Sequence, residues 1–148
     1  PIPVAMGERL YTIYQFQDLL NHKGAAFVRP DPSLAGGITN LKKIAALAEA
    51  SYVGVAPHNP LSCVLTAACV QLDAAVHNLS VQEYPQGEDK GPKRDLVKEP
   101  LKREGGYLMV PEAPGIGIEL NEEAFKHYPP VPYERPPLIA SDGSLRDY

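Results

Sequence analysis

Apolar and polar positions follow two different rhythms along this chain, and the rhythms take turns. Four short apolar runs, Ile2 to Met6, Ala25 to Val28, Val53 to Ala56 and Leu79 to Val81, each stop just before an ionisable residue: Glu8, Asp31, His58 and Glu83 in turn. Between the runs, apolar residues return every three or four positions: Ile13, Phe16, Leu20; then Ile38, Leu41, Ile44, Leu47; then Leu61, Val64, Ala68, Leu72. The first rhythm belongs to short buried strands and the second to amphipathic helices. The chain reads as four strands joined by three helices.

Strands linked by single helices pair in parallel, through right-handed crossovers, so the fold class is α/β. The four ionisable residues stand 23, 27 and 25 positions apart. A repeat of about 25 residues is the βα unit of an eight-fold barrel, which needs about 250 residues in all. Residues 1–85 hold half of one. A half-sheet leaves backbone unpaired on the strand beginning at Ile2 and on the strand ending at Glu83, and such edges invite association. With Pro1 almost directly on a strand, we expect a fragment, a processed piece or one component of a split enzyme.

Residues 86–148 change character. Gln86 to Arg103 is charged and broken by Gly87, Gly91, Pro92 and Pro100, so it reads as a loop with a short helix around Asp95 to Lys98. Tyr107 to Val110 and Ile116 to Leu120 flank a Pro-Glu-Ala-Pro-Gly connection and are predicted as two short strands. From Tyr128 to Pro137 five of ten residues are proline, which predicts an extended tail packed on something else.

Composition narrows the function. With 44% hydrophobic and 22% charged residues the chain has the make-up of an ordinary globular domain. Its 14 Lys and Arg against 18 Asp and Glu, a net charge of −4, offer nucleic acid no broad basic surface. The longest apolar stretch, within Cys63 to Leu72, is far short of the roughly 20 residues that cross a bilayer, and with no basic-then-apolar run before it we expect no mark of secretion. Cys63 and Cys69 lie about 9 Å apart along a predicted helix, beyond disulfide reach. We expect packed thiols in a reducing cytoplasm.

In a barrel, side chains at the carboxyl ends of the strands converge on the face where active sites lie. Glu8, Asp31, His58 and Glu83 all occupy that position. Each alone could be a solvated loop charge or a helix cap; four in succession point to a site. Gly36-Gly37 is read as a tight strand-to-helix turn, His22 as a helix-end dipole contact, and His77 and His127 have no ligand-like spacing.

Several strings carry a resemblance. Gly7-Glu8-Arg9, Pro30-Asp31 with Ala35-Gly36-Gly37-Ile38-Thr39, Ala56-Pro57-His58-Asn59-Pro60 and Gln82-Glu83 resemble strands five to eight of the mandelate racemase and galactonate dehydratase branch of the enolase superfamily. Pro114-Gly115-Ile116-Gly117-Ile118 is similar to the segment after the barrel. The resemblance covers residues 1 to about 123 and implies the C-terminal half of a (β/α)8 barrel plus an extension. It implies that Glu8 is a carboxylate ligand of Mg²⁺, that Asp31 and His58 form a dyad in which the carboxylate orients the imidazole, and that Glu83 binds the substrate or its enediolate oxygen.

The implied reaction is dehydration of a sugar acid, an aldonate of the galactonate kind, through an enediolate to a 2-keto-3-deoxy acid. His58 has two possible roles, general acid or base, of which the acid is favoured. The alternatives are a racemase or epimerase using the same intermediate, or a non-catalytic half-barrel. Ser62-Cys63 stand where the family usually has Gly-Pro, which bears on the start of the third helix. The other metal carboxylates, a further base and the N-terminal capping domain have no counterpart here. The missing N-terminal part of the enzyme is therefore an expected partner, with homo-oligomerisation once complete, and the chain alone is expected to be inert.

Overall fold

Three parallel strands, β1 (Ala5–Met6), β2 (Phe27–Val28) and β3 (Gly54–Val55), lie side by side in chain order in the computed structural model, which describes residues 2–133 and 138–144. Their register pairs Ala5 with Phe27 and Phe27 with Gly54, and Met6 with Val28 and Val28 with Val55. The predicted fourth strand is reduced to one parallel bridge, Val55 to Leu79. Val55 N donates to Asn78 O at 2.9 Å and Ser80 N to Val55 O at 2.8 Å. Backbone pairing outruns the formal strands: Arg29 N reaches Met6 O at 2.7 Å, Ala56 N reaches Val28 O at 2.9 Å, and His58 N reaches Pro30 O at 3.0 Å.

Three helices form the crossovers. In α1 (Ile13–Asn21), Thr12 and Gln15 make a capping box, and the face carrying Phe16 and Leu20 is buried. The helix closes at His22, whose Nδ1 lies 2.9 Å from Asp18 O, as expected of a helix end. In α2 (Gly37–Ala50), entry is through Gly36 and Gly37 at φ +86° and +74°, the left-handed turn that only glycine adopts freely. Leu41, Ile44, Ala45 and Ala48 fill its inner face.

The third helix, α3 (Cys63–Asp73), departs from expectation. Its buried residues are Cys63, Thr66, Ala67, Cys69, Val70 and Leu72, while Leu61 and Val64 are exposed. An apolar run has no clear polar face, so three-to-four spacing does not choose which side turns inward. Ser62 accepts from Leu65 N at 3.2 Å and caps the helix, so the exchange of Gly-Pro for Ser-Cys leaves its start intact. Both cysteines are free and buried, as their helical spacing predicts.

The main core joins Phe16, Leu20, Leu41, Ile44 and Leu72 to Val28 and Val55, placing the helices on one face of the sheet. Each such large side chain contributes about 1.5–3 kcal/mol by leaving water. Asn78 Nδ2 donates to both Ala45 O (3.1 Å) and Val53 O (3.0 Å), tying the fourth strand position to α2 and β3. Ile2, Val4 and Met6 stay exposed along β1, which pairs with β2 alone among the described residues.

Beyond Glu83 the predictions need correcting. The short helix is a 3-10 turn at Arg94–Leu96. Tyr107–Leu108 (β5), inside the predicted strand Tyr107 to Val110, pairs across the Gly105-Gly106 turn with Arg103–Glu104 (β4), a strand the sequence did not predict. Leu120 makes a single antiparallel bridge to Val97. Two glycines between short runs are a hairpin signal. A last helix, α4 (Ala124–His127), follows, and residues 134–137 of the predicted proline-rich tail lie outside the described residues. No helix among the described residues is long and apolar enough to cross a membrane.

Candidate functional site

Register decides which of the four ionisable residues can meet. Val28 pairs with Val55, an offset of 27 positions, and the same offset carried past the strand ends sets Asp31 opposite His58. The His58 N to Pro30 O bond at 3.0 Å shows that the pairing does continue that far. Side chains alternate across a strand, so Asp31 falls on the face opposite Val28, away from the helices. There Asp31 Oδ2 and His58 Nδ1 are 2.9 Å apart.

The Asp31 side chain is 3% exposed and fully engaged. Its Oδ1 accepts from Ser33 N at 2.7 Å and Ser33 Oγ at 2.5 Å, so the Asp-Pro-Ser turn holds the carboxylate before the imidazole arrives. A carboxylate on Nδ1 selects the tautomer with its proton on that nitrogen. Nε2 is thereby left as the working nitrogen, in a side chain that keeps 17% of its surface open.

Glu83 lies next to this pair. The bridge from Val55 to Leu79 has an offset of 24, which sets Glu83 against Asn59, the residue after His58. Glu83 Oε2 accepts from Asn59 N at 2.8 Å and from Arg29 Nη2 at 2.8 Å. Arg29 stands two positions before Asp31 and so shares its face. The two side chains keep 28% and 36% of their surface, so water screens the ion pair and its main effect is orientation. Arg29 Nε is buried without a partner among the described residues, so the guanidinium meets Glu83 through one nitrogen and does not form a fork. Glu83 Oε1 has no hydrogen-bond partner among the described residues.

Glu8 is different. Met6 pairs with Val28, an offset of 22, so Glu8 falls level with Pro30 and one step out of phase with Asp31. Gly7 at φ +122° ends the strand there, and an added Cβ would sit 2.6 Å from Phe16 Cε1, so no other residue fits without displacing the ring. The Glu8 carboxylate has no hydrogen-bond or ion-pair partner among the described residues. It lines a cavity of about 560 Å³ with Met6, Leu10, Tyr14 and Leu19.

Hydrogen bonds thus join Asp31 to His58 and tie Glu83 to Asn59 and Arg29 beside them, while Glu8 makes no bond to any of the three among the described residues. No three His, Cys, Asp or Glu converge to hold a metal among the described residues. The donor type at Glu8, an unengaged carboxylate, suits a hard cation such as Mg²⁺, but here it is one donor of the six such an ion takes. Sequence reasoning missed Arg29 and the part played by Asn59. The period of two would have found Arg29, two positions from Asp31. The backbone N–H of Asn59 has no sequence signal.

Residues 1–124 match the family described as enolase C-terminal domain-like. D-galactonate dehydratase of Variovorax paradoxus is 38% identical over 154 residues, covering 99% of this chain and 40% of that protein. The D-galactonate dehydratase of Cronobacter sakazakii is 42% identical over 127 residues, covering 82% of this chain and 33% of that protein. Among solved structures, an enolase from Agrobacterium radiobacter with bound Na and L-malate superposes with a TM-score of 0.87 at 36% identity, covering 97% of this chain and 40% of that one. A mandelate racemase/muconate lactonizing enzyme from Jannaschia does so with a TM-score of 0.82 at 35% identity, over 90% of this chain and 33% of that one. The chain spans about 40% of the length of the relatives that cover it most fully. Since the match begins at β1 and runs past the β4–β5 hairpin, the chain belongs to the enolase C-terminal domain-like family, on its mandelate racemase/muconate lactonizing branch.

Proposed function

We propose that this chain supplies the Asp–His dyad and the substrate-facing glutamate of a sugar-acid dehydratase that acts on an aldonate of the galactonate kind. The carrying observation is the 2.9 Å contact between Asp31 Oδ2 and His58 Nδ1, in which the second carboxylate oxygen is already taken by Ser33. A carboxylate held on both sides cannot swing, so it fixes the ring plane and tautomer of His58 and aims Nε2. The names of the relatives, D-galactonate dehydratases, supply the substrate class.

In this reading a base outside this chain removes the proton α to the substrate carboxylate. His58 Nε2 then gives a proton to the β-hydroxyl, the carbon–oxygen bond breaks, and water leaves. The resulting enol becomes the 2-keto-3-deoxy acid. Asp31 stabilises the imidazolium before transfer, and Glu83, steadied by Arg29 and Asn59 N, contacts the enediolate oxygen or a neighbouring hydroxyl. Mg²⁺, when bound, supplies charge stabilisation to the developing enediolate, with Glu8 as one of its ligands.

The test is a chimaera joining residues 1–148 to the upstream part of the Variovorax enzyme, assayed on D-galactonate. His58→Asn should lower turnover about 10³-fold while deuterium still exchanges from solvent into the α position. Loss of that exchange would make His58 the base, and full activity would remove it from the mechanism.

A further inference from the structure

Besides Asp31, the buried polar residues among the described ones are Asn59, Thr66 and Glu88, and Thr66 is bonded to both of the others. Asn59 Nδ2 donates to Thr66 Oγ1 at 2.5 Å. Thr66 Oγ1 in turn lies 2.6 Å from Glu88 Oε2 and 3.2 Å from Ser62 O. A hydroxyl has one proton, and a carboxylate at the shorter distance takes it, which leaves a lone pair facing Asn59. Burial pushes the Glu88 carboxyl up, against the opposing pull of Thr66 and Lys93. A carboxyl kept 3% exposed is costly to the fold unless it is fully bonded, and packing alone would be served by an aliphatic side chain.

What the cluster holds is the main chain of Asn59. That residue's N–H donates to Glu83 Oε2 at 2.8 Å, and the residue before it is His58, bonded to Asp31. Its Oδ1 faces the N–H groups of Leu61 and Ser62, each at 3.4 Å, where the chain turns into α3. One residue therefore touches both halves of the site through its backbone, while its side chain is anchored on α3 and, through Thr66, on the segment after the fourth strand.

We propose that Asn59, Thr66 and Glu88 form a brace that aims the Asn59 N–H at Glu83 and holds the backbone of His58 against Asp31. They are positioning residues, and their importance for catalysis rests on the reading of His58 and Glu83 given above. The brace also gives the segment beyond Glu83 a share in the site, through Glu88.

Hydrogen exchange at single amides of the 148-residue chain tests it. Thr66→Val should speed exchange at the Asn59 amide about tenfold while the Ile44 amide in α2 keeps its rate, and Thr66→Ser should restore the original value. Glu88→Ala is the milder lesion, because the Thr66 hydroxyl can still turn to Ser62 O; it should speed the same amide about threefold. Unchanged exchange at Asn59 in these variants, or exchange that rises only in step with Ile44, overturns the brace. In the chimaera, Glu88→Ala should lower kcat about tenfold with KM within about twofold, and Glu88→Gln should recover it. An inactive parent chimaera would count against the dehydratase reading, and the amide rates would still decide the brace.

Discussion

Residues 5–83 and residues 84–133 are held by different forces. In the first region, Phe16, Leu20, Leu41, Ile44 and Leu72 close on Val28 and Val55, and the strands pair through evenly placed backbone bonds. In the second, the buried aliphatic side chains among the described residues are Pro85, Val97 and Ala124. Polar ties do the rest: Asn121 Nδ2 donates to Asp95 O at 3.0 Å, Tyr128 OH to Asp95 Oδ2 at 2.7 Å, and the Arg103 guanidinium stacks 5.5 Å from the Tyr84 ring centre. Burial rewards a periodic pattern, so the first region advertises itself in its apolar spacing. Polar ties reward particular atoms at particular distances, and no spacing announces them.

The largest effect should come from breaking the chemistry of the first region without its fold. In the chimaera, Asp31→Asn and His58→Asn should each cost about 10³-fold in turnover, and the pair together little more, because groups that act as one unit lose their value together. Additive losses in a double-mutant cycle would separate the two residues.

Next in size is the core. Ile44→Ala should destabilise the chain by about 3 kcal/mol in chemical denaturation, the cost of an aliphatic cavity. A loss below 1 kcal/mol, on the order of a surface change, would show that the helices are not what holds this region.

Acidity sharpens the contrast at the seam between the regions. Asp73, at the end of α3, lines a cavity of about 530 Å³ with Gln82, Tyr84 and Tyr107, and burial pushes its carboxyl from 3.8 to about 7. The raised value means that the folded state favours the protonated acid. Stability from this group is therefore full below pH 3.8 and is lost as pH rises through about 7. Asp73→Asn should add about 2 kcal/mol above pH 7 and flatten the profile across that window. An unchanged profile would mean that water reaches the carboxyl.

The smallest effect belongs to the second region. Asn121→Ala removes one bond to the backbone of Asp95 and should cost about 1 kcal/mol, read by local exchange at the Leu96 and Val97 amides.

Sequence legibility follows the same division. Runs ending before Glu8, Asp31 and His58 marked the three strands, and Phe16, Leu41 and Ile44 marked the inner faces of α1 and α2. The face of α3 was misread because its apolar residues surround it. The strand Arg103–Glu104 was missed because its residues are charged, and the strand predicted over Ile116 to Leu120 is only a single bridge at Leu120. Of the site, the 27-residue spacing of Asp31 and His58 equals the offset of β2 and β3, and that pair forms. The spacings of 23 and 25 each exceed their sheet offsets of 22 and 24 by one, so Glu8 stands level with Pro30 and Glu83 with Asn59, and Glu83 is held beside the dyad by bonds from Arg29 and the Asn59 N–H that the spacing does not announce.

That one-residue bookkeeping bears on how such a chain can change length over evolution. A residue gained or lost within Ile38 to Ala48 would rotate part of α2, or be absorbed at its ends, and leave both strands where they are. A residue lost between Val28 and Asp31 would swing the carboxylate to the helix side of the sheet and replace it with Pro32, whatever the rest of the chain did. Insertions and deletions should therefore accumulate in the crossovers and the segment beyond Glu83, while the two positions between Val28 and Asp31, and the two between Val55 and His58, admit none.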